Sequence, residues 1–361
     1  MPHQYSPSHA ANHPGGVLQQ FLPALLCGCY LMALMLPSPG QWLNTWEFPA
    51  AVPEVLNPRL PHLLVAMLLF LASLGAQLQR LPLVLARPLV LGLALVAVWL
   101  VPALLIIPVG WILPTVIPAA EVAPLVIGFA LVAAMPVANS AAGWTQQSRG
   151  ELPWTLILVV LSILVCPVVT PLVLWLLGLT FTAAEGRGLA ELMSHFTGLK
   201  FVIWVLLPTA MGIFLRRLVG PGRVAHYRGQ VLMASAAILL LLNYINASVA
   251  LPSMQSQIQL AGLGMLALAA FLTCLAGLGT ARLLGWATGC SPQVKVALDY
   301  ALMMKNTGLA LALANDILAT QPLVVLPLFA ATLIQHLVAG WHHARLQRHS
   351  LEGQMEGPAE A

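Results

Sequence analysis

Apolar runs about as long as a bilayer is thick recur along the whole chain, separated by short stretches rich in proline, glycine and charge. A helix needs roughly 20 apolar residues to cross a membrane, and ten segments come near or exceed that length. They cover residues 17–37, 60–79, 88–108, 115–146, 153–181, 198–219, 229–250, 260–284, 294–315 and 321–344. The pattern predicts an all-α polytopic membrane protein with ten transmembrane helices between polar tails at 1–16 and 351–361.

The boundary between the third and fourth segments is the hardest to place. Pro108, Pro114, Pro118 and Pro124 follow one another there, and proline ends or kinks a helix because it has no N–H group to donate. We expect the third helix to end near residue 108 and the fourth to begin near residue 115.

Composition excludes several classes of protein. With 60% hydrophobic and 7% charged residues in 361 positions, the chain is typical of one helical membrane bundle and not of a soluble domain. No basic cluster suggests nucleic acid. The five cysteines lie in or beside apolar runs, and their spacing indicates neither a disulfide framework nor a zinc site. Residues 1–16 contain no Lys or Arg, so a cleaved signal peptide is not expected.

The basic residues test the number of helices. If the N-terminus is cytoplasmic, ten crossings place eleven basic residues inside and three outside, and with Lys305 these account for all 15. The inner set is Arg80, Arg87, Arg149, Arg216, Arg217, Arg223, Arg228, Arg282, Lys295, Arg345 and Arg348, and the outer set is Arg59, Arg187 and Lys200. Loops on the cytoplasmic side carry an excess of Lys and Arg, so the asymmetry predicts that both termini are cytoplasmic.

The ninth segment carries Lys305 in its middle, followed by Asn306, Thr307 and Gly308. A charge at membrane depth is costly and marks a functional site. Gly308 tolerates irregular backbone, and Asn and Thr side chains can bind freed backbone groups. We expect the helix to open here, which is tolerated only inside protein or beside a cavity.

The fourth segment repeats this pattern at Pro136, Asn139 and Ser140. Since it lies five segments before the ninth, and five is odd, residues 17–181 and 198–345 would form two inverted repeats. Paired, interrupted helices in such repeats indicate the substrate site of a secondary transporter. The alternative is two kinked helices that pack through small residues.

Two stretches resemble the bile acid:sodium symporter family. The first stretch consists of Pro136 with its polar break, Arg149-Gly150, Ser162 and Pro167-Val-Val-Thr170-Pro171. The second stretch is Asn306-Thr307-Gly308-Leu309-Ala310. The similarity extends from about residue 17 to residue 345. The resemblance implies that broken helices 4 and 9 cross in a core domain beside a panel domain. It also implies that an organic anion, small or amphipathic, is moved between the two domains by alternating access.

The chain departs from that family where sodium is bound. The family's ligand positions fall on Ala141, Ala142, Thr155, Val159, Ala301 and Lys305, and less directly on Ala97. Among the first five of these, only Thr155 offers a side-chain oxygen, whereas hard cations need several. The Lys305 ammonium carries the ion's own charge and three donors. We hypothesise that Lys305 stands in for a sodium ion, binding freed carbonyls and the oxygens of Asn139 and Ser140.

Other couplings remain open at this point. Sodium could use a shifted site at Asn139, Ser140 and Thr155, or Lys305 could carry a proton with Asp299 as its partner. Asp299 lies six residues before Lys305, on a different helical face, and we expect it to be a solvated acid at the interface. Lys305 could also extend to an interface and have no role at the crossover.

Further polar residues fall within predicted spans. Asn243 is expected to bind either substrate or a neighbouring helix. Gln335 and His336 fall where the resembling family has a polar pair in its cavity, so we expect substrate contacts there. Trp99 and Trp144 fall near span ends and are typical of membrane-interface anchors.

The functional classes can then be ranked. Neither a His-Glu-x-x-His nor a Gly-x-Ser-x-Gly motif is present, and no acid pair lies within the spans, which argues against an enzyme. A membrane sensor built on a transporter fold is the remaining alternative. We expect a bacterial inner-membrane transporter that needs no cofactor, with its oligomeric state undetermined.

Overall fold

A computed structural model describes residues 14–47, 59–254, 260–314 and 321–355. Of the two predicted tails, residues 1–13 and 356–361 lie outside the described residues, whereas 14–16 begin the first helix and 351–355 end the last one. The helices of the first half are α1 (Pro14–Met35), α2 (Pro37–Thr45), α3 (Leu60–Gly75), α4 (Leu81–Leu85), α5 (Pro88–Val116), α6 (Ala119–Ala134), α7 (Ser140–Gln147), α8 (Leu152–Gly178) and α9 (Ala183–Thr197). Those of the second half are α10 (Leu199–Phe201), α11 (Leu207–Val219), α12 (Pro221–His226), α13 (Arg228–Met254), α14 (Leu260–Ala287), α15 (Pro292–Met303), α16 (Thr307–Ala314) and α17 (Leu326–Met355). A π-helical turn at Val202–Leu206 joins α10 to α11.

Each of the ten predicted segments contains at least one helix. Among the described residues, six helices are long and apolar enough to cross a membrane on their own. They are Pro88–Val116, Leu152–Gly178, Leu199–Val219, Arg228–Pro252, Gly262–Ala287 and Pro322–Arg348. The chain is therefore a multi-pass integral membrane protein, while the number of ten crossings and the inverted repeat stay predictions.

The predicted boundary between the third and fourth segments was wrong. Helix α5 continues through Pro108 and Pro114 to Val116, and α6 begins only at Ala119. Proline is tolerated inside membrane helices when neighbouring groups bind the carbonyls it leaves free. The sequence alone did not show that such neighbours exist.

Four helices lie between the predicted segments, namely α2, α9 and the short helices α4 and α12. Helix α2 follows α1 after a bend of 90°, and it is held against α13 by Gln41 Nε2, which donates to Ser248 O at 3.1 Å. Helix α9 packs on α6 and α8. It begins with Thr182, whose N–H and hydroxyl both donate to the Glu185 carboxylate at 2.6 and 2.7 Å. This Thr-x-x-Glu spacing is a helix-start signal in the sequence.

The helices form two packed groups. In one group α1, α2 and α3 pack on α13, and α11 packs on α3. In the other group α14 packs on α5, α15 and α17, and α8 packs on α5, α6 and α9. Helices α7 and α16 lie where the two groups meet, since α16 contacts α3 and α13 as well as α17 and α6.

Candidate functional site: the helix crossover and its cavity

The two predicted helix breaks are present and lie against each other. Helix α6 ends at Ala134 and α7 begins at Ser140, while α15 ends at Met303 and α16 begins at Thr307. Between them the backbone is extended, as shown by Met135 (φ −76°, ψ 148°) and Met304 (φ −111°, ψ 129°). Extension at Met135 follows from the next residue, Pro136, which disfavours helical conformation in its predecessor.

The two extended stretches pair with each other through their backbones. Ala138 N donates to Met304 O at 3.1 Å, and Asn306 N donates to Pro136 O at 2.9 Å, which makes Val137 and Lys305 an isolated antiparallel bridge. The groups that the breaks release from helical bonding therefore bind each other. Buried backbone groups must find partners of this kind, and away from water only the protein can supply them.

Side chains from two other helices complete the pairing. Ser162 Oγ on α8 accepts from Val137 N at 3.1 Å. Gln335 on α17 binds Lys305 at both backbone groups, since its Oε1 accepts from Lys305 N at 2.9 Å and its Nε2 donates to Lys305 O at 3.2 Å. The same amide donates to Thr307 Oγ1 at 3.4 Å. Fixed partners on both sides hold the crossover in one geometry.

The last carbonyl of α6 is also occupied. Ala134 O accepts from Trp99 Nε1 at 2.9 Å and from Thr170 Oγ1 at 2.6 Å. The expectation that Trp99 and Trp144 anchor the membrane interface was wrong, because both side chains are buried, with 4% and 0% exposed. Trp99 instead uses its only donor inside the protein, as buried tryptophan does.

Lys305 lies buried at the centre of this arrangement, with 4% of its surface exposed. Its ammonium donates to Val98 O on α5 and to Met135 O, the latter at 3.4 Å. Val98 lies four residues before Pro102, which has no N–H, so the Val98 carbonyl lacks its helical donor. The lysine thus binds one carbonyl freed by a proline inside α5 and one freed by the break after α6.

The expected contacts of Lys305 are only partly present. The freed carbonyl of Met135 is a partner as predicted. The contact predicted with the Asn139 side-chain oxygen is not made, because Asn139 Oδ1 has no hydrogen-bond partner, while Asn139 Nδ2 donates to Leu68 O at 3.3 Å. The ammonium instead extends toward α5.

Ser162 offers a direct test of how strongly the breaks are held. Replacing Ser162 with Ala leaves the Val137 N–H buried without a partner, which costs about 1–3 kcal/mol. We expect the free energy of unfolding in detergent to fall by that amount. Ser73→Ala is the matched control, because Ser73 Oγ is also buried but donates within its own helix, to Leu69 O at 2.7 Å. Equal losses in the two variants would contradict a special role for Ser162.

A large cavity lies beside the crossover and extends between the two groups of helices to the ends of α3 and α11. It encloses about 1240 Å³ of empty space, including the part open to solvent. Its walls are largely apolar, from Leu68 and Leu71 on α3 to Val231 and Leu239 on α13. The cations Lys305, Arg216 and Arg228 line it, and no acidic side chain belongs to the described residues around it.

Six of the predicted site residues line this cavity. They are Asn139, Ser140, Lys305, Asn306, Thr307 and Gln335. In two of them one amide atom is buried without a hydrogen-bond partner, namely Asn139 Oδ1 and Asn306 Nδ2. Asn306 Oδ1 accepts from Leu309 N at 3.1 Å and so caps α16.

The positions that the resemblance assigns to sodium offer few oxygens. Ala142 and Val159 line the cavity with carbon atoms only, and Ala141 and Ala301 are buried. Thr155 does not line the cavity, and its hydroxyl is already hydrogen-bonded to Thr145 Oγ1 at 2.8 Å and to Ala297 O at 3.3 Å. These side chains do not fit a sodium ion, which needs several oxygens at once.

Asp299 is not the solvated acid that we expected. It is 4% exposed, its Oδ2 lies 2.9 Å from His342 Nε2, and Arg282 Nε lies 4.0 Å from the same oxygen. Arg282 is on α14, and His342 is on α17, 43 positions after Asp299 in the chain. Residues so far apart gave no sign in the sequence that they form a cluster. Coupling of Lys305 and Asp299 in proton transfer stays a prediction.

Asn243 and His336 lie away from the cavity wall. Asn243 Oδ1 accepts from Tyr30 OH on α1 at 2.9 Å, which is the neighbouring-helix contact that we gave as one of two alternatives. His336 is fully buried, and neither of its ring nitrogens has a hydrogen-bond partner. Of the pair expected to contact substrate, only Gln335 lines the cavity.

Arg216 is a cavity residue that sequence reasoning missed, because it was counted only among the cytoplasmic charges. It is 8% exposed, and its Nη1 donates to Leu74 O at 2.8 Å and to Gly75 O at 3.1 Å. A signal was present in the sequence. Thr209, Gly212 and Arg216 are the buried residues of α11, and their spacing places them on one helical face.

Two comparisons place the chain among known proteins. The model of the SBF-like CPA transporter family matches residues 19–348. The chain is also similar to the uncharacterized protein YbaS of Bacillus subtilis strain 168, with 25% identity over 319 residues, which are 88% of this chain and 94% of that protein.

Proposed function

From the premise that the chain belongs to the SBF-like CPA transporter family, we propose that it carries an organic anion across the membrane by alternating access without a strict requirement for sodium. In this proposal Lys305 replaces the sodium ion at the crossover. The observation that carries the proposal is the ammonium of Lys305, bound to two backbone carbonyls in the middle of the paired breaks.

The charge of the cavity supports an anion as the substrate. Arg216 and Arg228 line it beside apolar side chains, and no acid among the described lining residues offsets them. A concave site with apolar walls and a few polar groups is typical of small-molecule binding. A molecule with an apolar body and an anionic group matches both parts of this wall.

Independence from sodium is supported by the donor set. A bound cation at the crossover would neutralise carbonyl dipoles that point into the break, and the Lys305 ammonium already does this with a fixed charge. A second cation in the same place would meet that charge at short range, where repulsion in a low-dielectric interior is strong. Oxygen ligands for a competing sodium ion are scarce at the positions described above.

The orientation in the membrane is part of the proposal. We place ten crossings in two inverted five-helix repeats, at 17–181 and 198–345, with both tails in the cytoplasm of a bacterial cell. Arg216 and Arg228 then belong to the cytoplasmic side by the distribution of basic residues. The cavity reaches these two residues, so the conformation described here would be inward-facing.

A sodium-coupled carrier with a shifted site is the second candidate. One observation favours it, namely that Asn139 Oδ1 is buried without a partner beside the crossover, where it could accept a cation together with Ser140. Proton coupling through Lys305 and Asp299, and a sensor that binds without transport, complete the set of alternatives.

Proteoliposome flux measurements separate these candidates. A thermal-shift screen of carboxylates and sulfonates on purified protein first identifies an anion that stabilises it. Uptake of that labelled anion is then measured with sodium replaced by choline, at several pH values and with an imposed pH gradient. We expect equal uptake in sodium and choline. Uptake that requires sodium would favour the shifted site, uptake driven by the pH gradient would favour proton coupling, and binding without flux would favour a sensor.

A further inference from the structure

A buried acid, a buried histidine and a half-exposed arginine form a cluster where α14, α15 and α17 meet. Asp299 Oδ2 on α15 lies 2.9 Å from His342 Nε2 on α17 and 4.0 Å from Arg282 Nε on α14. Arg282 Nη2 also lies 3.4 Å from His342 Nδ1. Each of the three side chains therefore contacts the other two, and the proposed replacement of sodium by a lysine uses none of them.

The neighbours of His342 determine where its proton lies. A guanidinium only donates hydrogen bonds, and a carboxylate only accepts them. His342 Nδ1 must therefore accept from Arg282, while Nε2 carries the proton that it donates to Asp299. An imidazole that accepts at one nitrogen and donates at the other is neutral. In this arrangement His342 has no charge, and Arg282 balances the charge of Asp299.

A second proton on His342 is incompatible with this arrangement. It would lie on Nδ1 and face the Arg282 guanidinium at 3.4 Å, so two donors of like charge would meet in a partly buried site. The bond from His342 Nε2 to Asp299 would at the same time become charge-assisted on both sides, and therefore stronger. Protonated His342 and Arg282 would compete for one carboxylate.

Burial decides which of the two side chains leaves. His342 is fully buried and the Asp299 side chain is 6% exposed, whereas the Arg282 side chain is 45% exposed. Asp299 Oδ1 is buried without a hydrogen-bond partner, so the carboxylate needs a cation at Oδ2 in either state. Arg282 can move into solvent, and protonated His342 can then balance Asp299 in its place.

The nearest other titratable groups bind elsewhere. The Tyr300 ring lies 5.3 Å from the ring of His342, but its hydroxyl is 2.6 Å from Ser148 Oγ at the end of α7. His343, the next residue of α17, places its Nδ1 2.8 Å from the same oxygen. These two side chains therefore form a separate hydrogen-bonded set with Ser148.

Two further cations lie on the same helices. Arg345 on α17 lies over the ring of Trp341, 5.8 Å from its centre. The Lys295 side chain on α15 packs against Gly285 on α14. Among the described residues, Asp299 is paired with no cation other than Arg282 and His342, so these two decide the charge balance of the cluster.

We infer that His342 is a proton-binding switch, in which protonation displaces Arg282 from Asp299 and leaves His342 as the cation that balances this acid. Histidine ordinarily changes its charge between about pH 5 and about pH 8. Near neutral pH the cluster joins α14, α15 and α17, and at acid pH it joins α15 and α17 alone.

The switch acts on the helices that carry the crossover. Helix α15 leads into the break at Met304, and α17 binds that break through Gln335. Gln335 and His342 are seven residues apart, which places them on one face of α17. In the proposed orientation this end of α17 lies on the cytoplasmic side, so the cluster responds to cytoplasmic pH. The inference does not require that a proton cross the membrane.

The stabilising effect of Arg282 at two pH values tests the switch. Equilibrium unfolding of the full chain in mixed micelles is compared for the unmodified protein and Arg282→Met at about pH 8 and about pH 5. At the higher pH we expect the substitution to raise the unfolding equilibrium constant about tenfold, as the loss of a hydrogen bond to a charged group does. At the lower pH we expect a change of less than about twofold, because Arg282 has already left the cluster.

Two histidine variants identify the group that binds the proton. In His342→Gln the amide can donate to Asp299 and accept from Arg282, as neutral histidine does, but it cannot be protonated. In that variant, adding Arg282→Met is expected to have the same effect, about tenfold, at both pH values. His343→Gln is the matched control, because His343 is also buried on α17 but contacts Ser148. In the control the pH dependence is expected to remain.

Three results would overturn the inference. The first is an effect of Arg282→Met that is equal at both pH values in the otherwise unmodified protein. The second is a pH dependence that survives in His342→Gln, which would place the proton on another group such as Asp299. The third is a pH dependence that disappears in His343→Gln, which would assign the proton to His343.

The test remains decisive if one variant does not fold. Without His342→Gln, the comparison of Arg282→Met with the unmodified protein still decides, because an effect that is equal at both pH values contradicts the switch. None of these measurements uses a substrate, so their outcome is independent of the proposed transport.

Discussion

Replacing Lys305 with Gln is expected to abolish sodium-free transport or to make transport depend on sodium. The change removes the fixed charge that binds Val98 O and Met135 O, and hydrogen bonds to charged groups contribute about 1.5–3 kcal/mol each. Since about 1.4 kcal/mol is a factor of ten in an equilibrium, we expect the sodium-free rate to fall by about tenfold or more. Counterflow in proteoliposomes, with sodium or choline on both sides, measures the change.

The control for this variant is Lys295→Gln. Lys295 lies on α15 ten residues earlier, is half-buried, and has no part in the crossover, so its substitution should leave the rate in choline unchanged. If Lys305→Gln transported at the normal rate without sodium, Lys305 could not be the substitute for an ion. Recovery of that variant by sodium alone, and not by choline, would give the strongest support.

Replacing Gln335 with Leu is expected to cost about 1–3 kcal/mol of stability, because it leaves one buried backbone group without a partner. This group is the N–H of Lys305, which donates to Gln335 Oε1 at 2.9 Å. The C=O of Lys305 loses the Gln335 donor at 3.2 Å but keeps Thr307 N at 2.8 Å. We also expect transport to fall, since the stretch that carries the ammonium loses its support on the α17 side. Equilibrium unfolding in mixed micelles, alongside flux, measures both effects.

Gln335→Glu separates the two bonds. A carboxylate keeps the acceptor for Lys305 N but removes the donor to Lys305 O, so an intermediate loss of stability is expected. Gln293→Leu serves as the control, because Gln293 is exposed at the start of α15 and only its backbone oxygen is bound, by Glu151 N. A loss in Gln335→Leu no greater than in this control would contradict the assigned role of the amide.

The positions of the two breaks and of the long membrane helices, apart from the end of α5, could be predicted from local patterns. The helix break before Asn139 follows from Pro136 and the one at Lys305 from the polar run after it, and both depend on residues that are neighbours in the chain. The burial of Lys305 followed from its place in the middle of an apolar segment. These features are set by hydrophobic periodicity and by the backbone chemistry of proline.

The partners of the site residues could not be predicted in the same way. Val98 contacts Lys305 across 207 positions of sequence and Asp299 contacts His342 across 43, and one sequence carries no record of which helix faces which. Pro102 could have suggested a free carbonyl at Val98, but nothing local indicates that a lysine fills it. The place of Arg216 in the cavity wall could not be predicted either. In the sequence, an arginine at the end of a predicted span looks like any other cytoplasmic charge.

If Lys305 takes the place of a dissociable ion, as we propose, it also determines where the energy for transport comes from. A cation that is covalently part of the chain cannot be taken up on one side and released on the other, so a sodium gradient does no work on the cycle. The net flux of a monoanion then follows its own concentration ratio and the membrane potential. At 100 mV, negative inside, the potential is equivalent to about 2.3 kcal/mol per charge, directed outward for an anion. In a cell with such a potential, the carrier would work as an exit route.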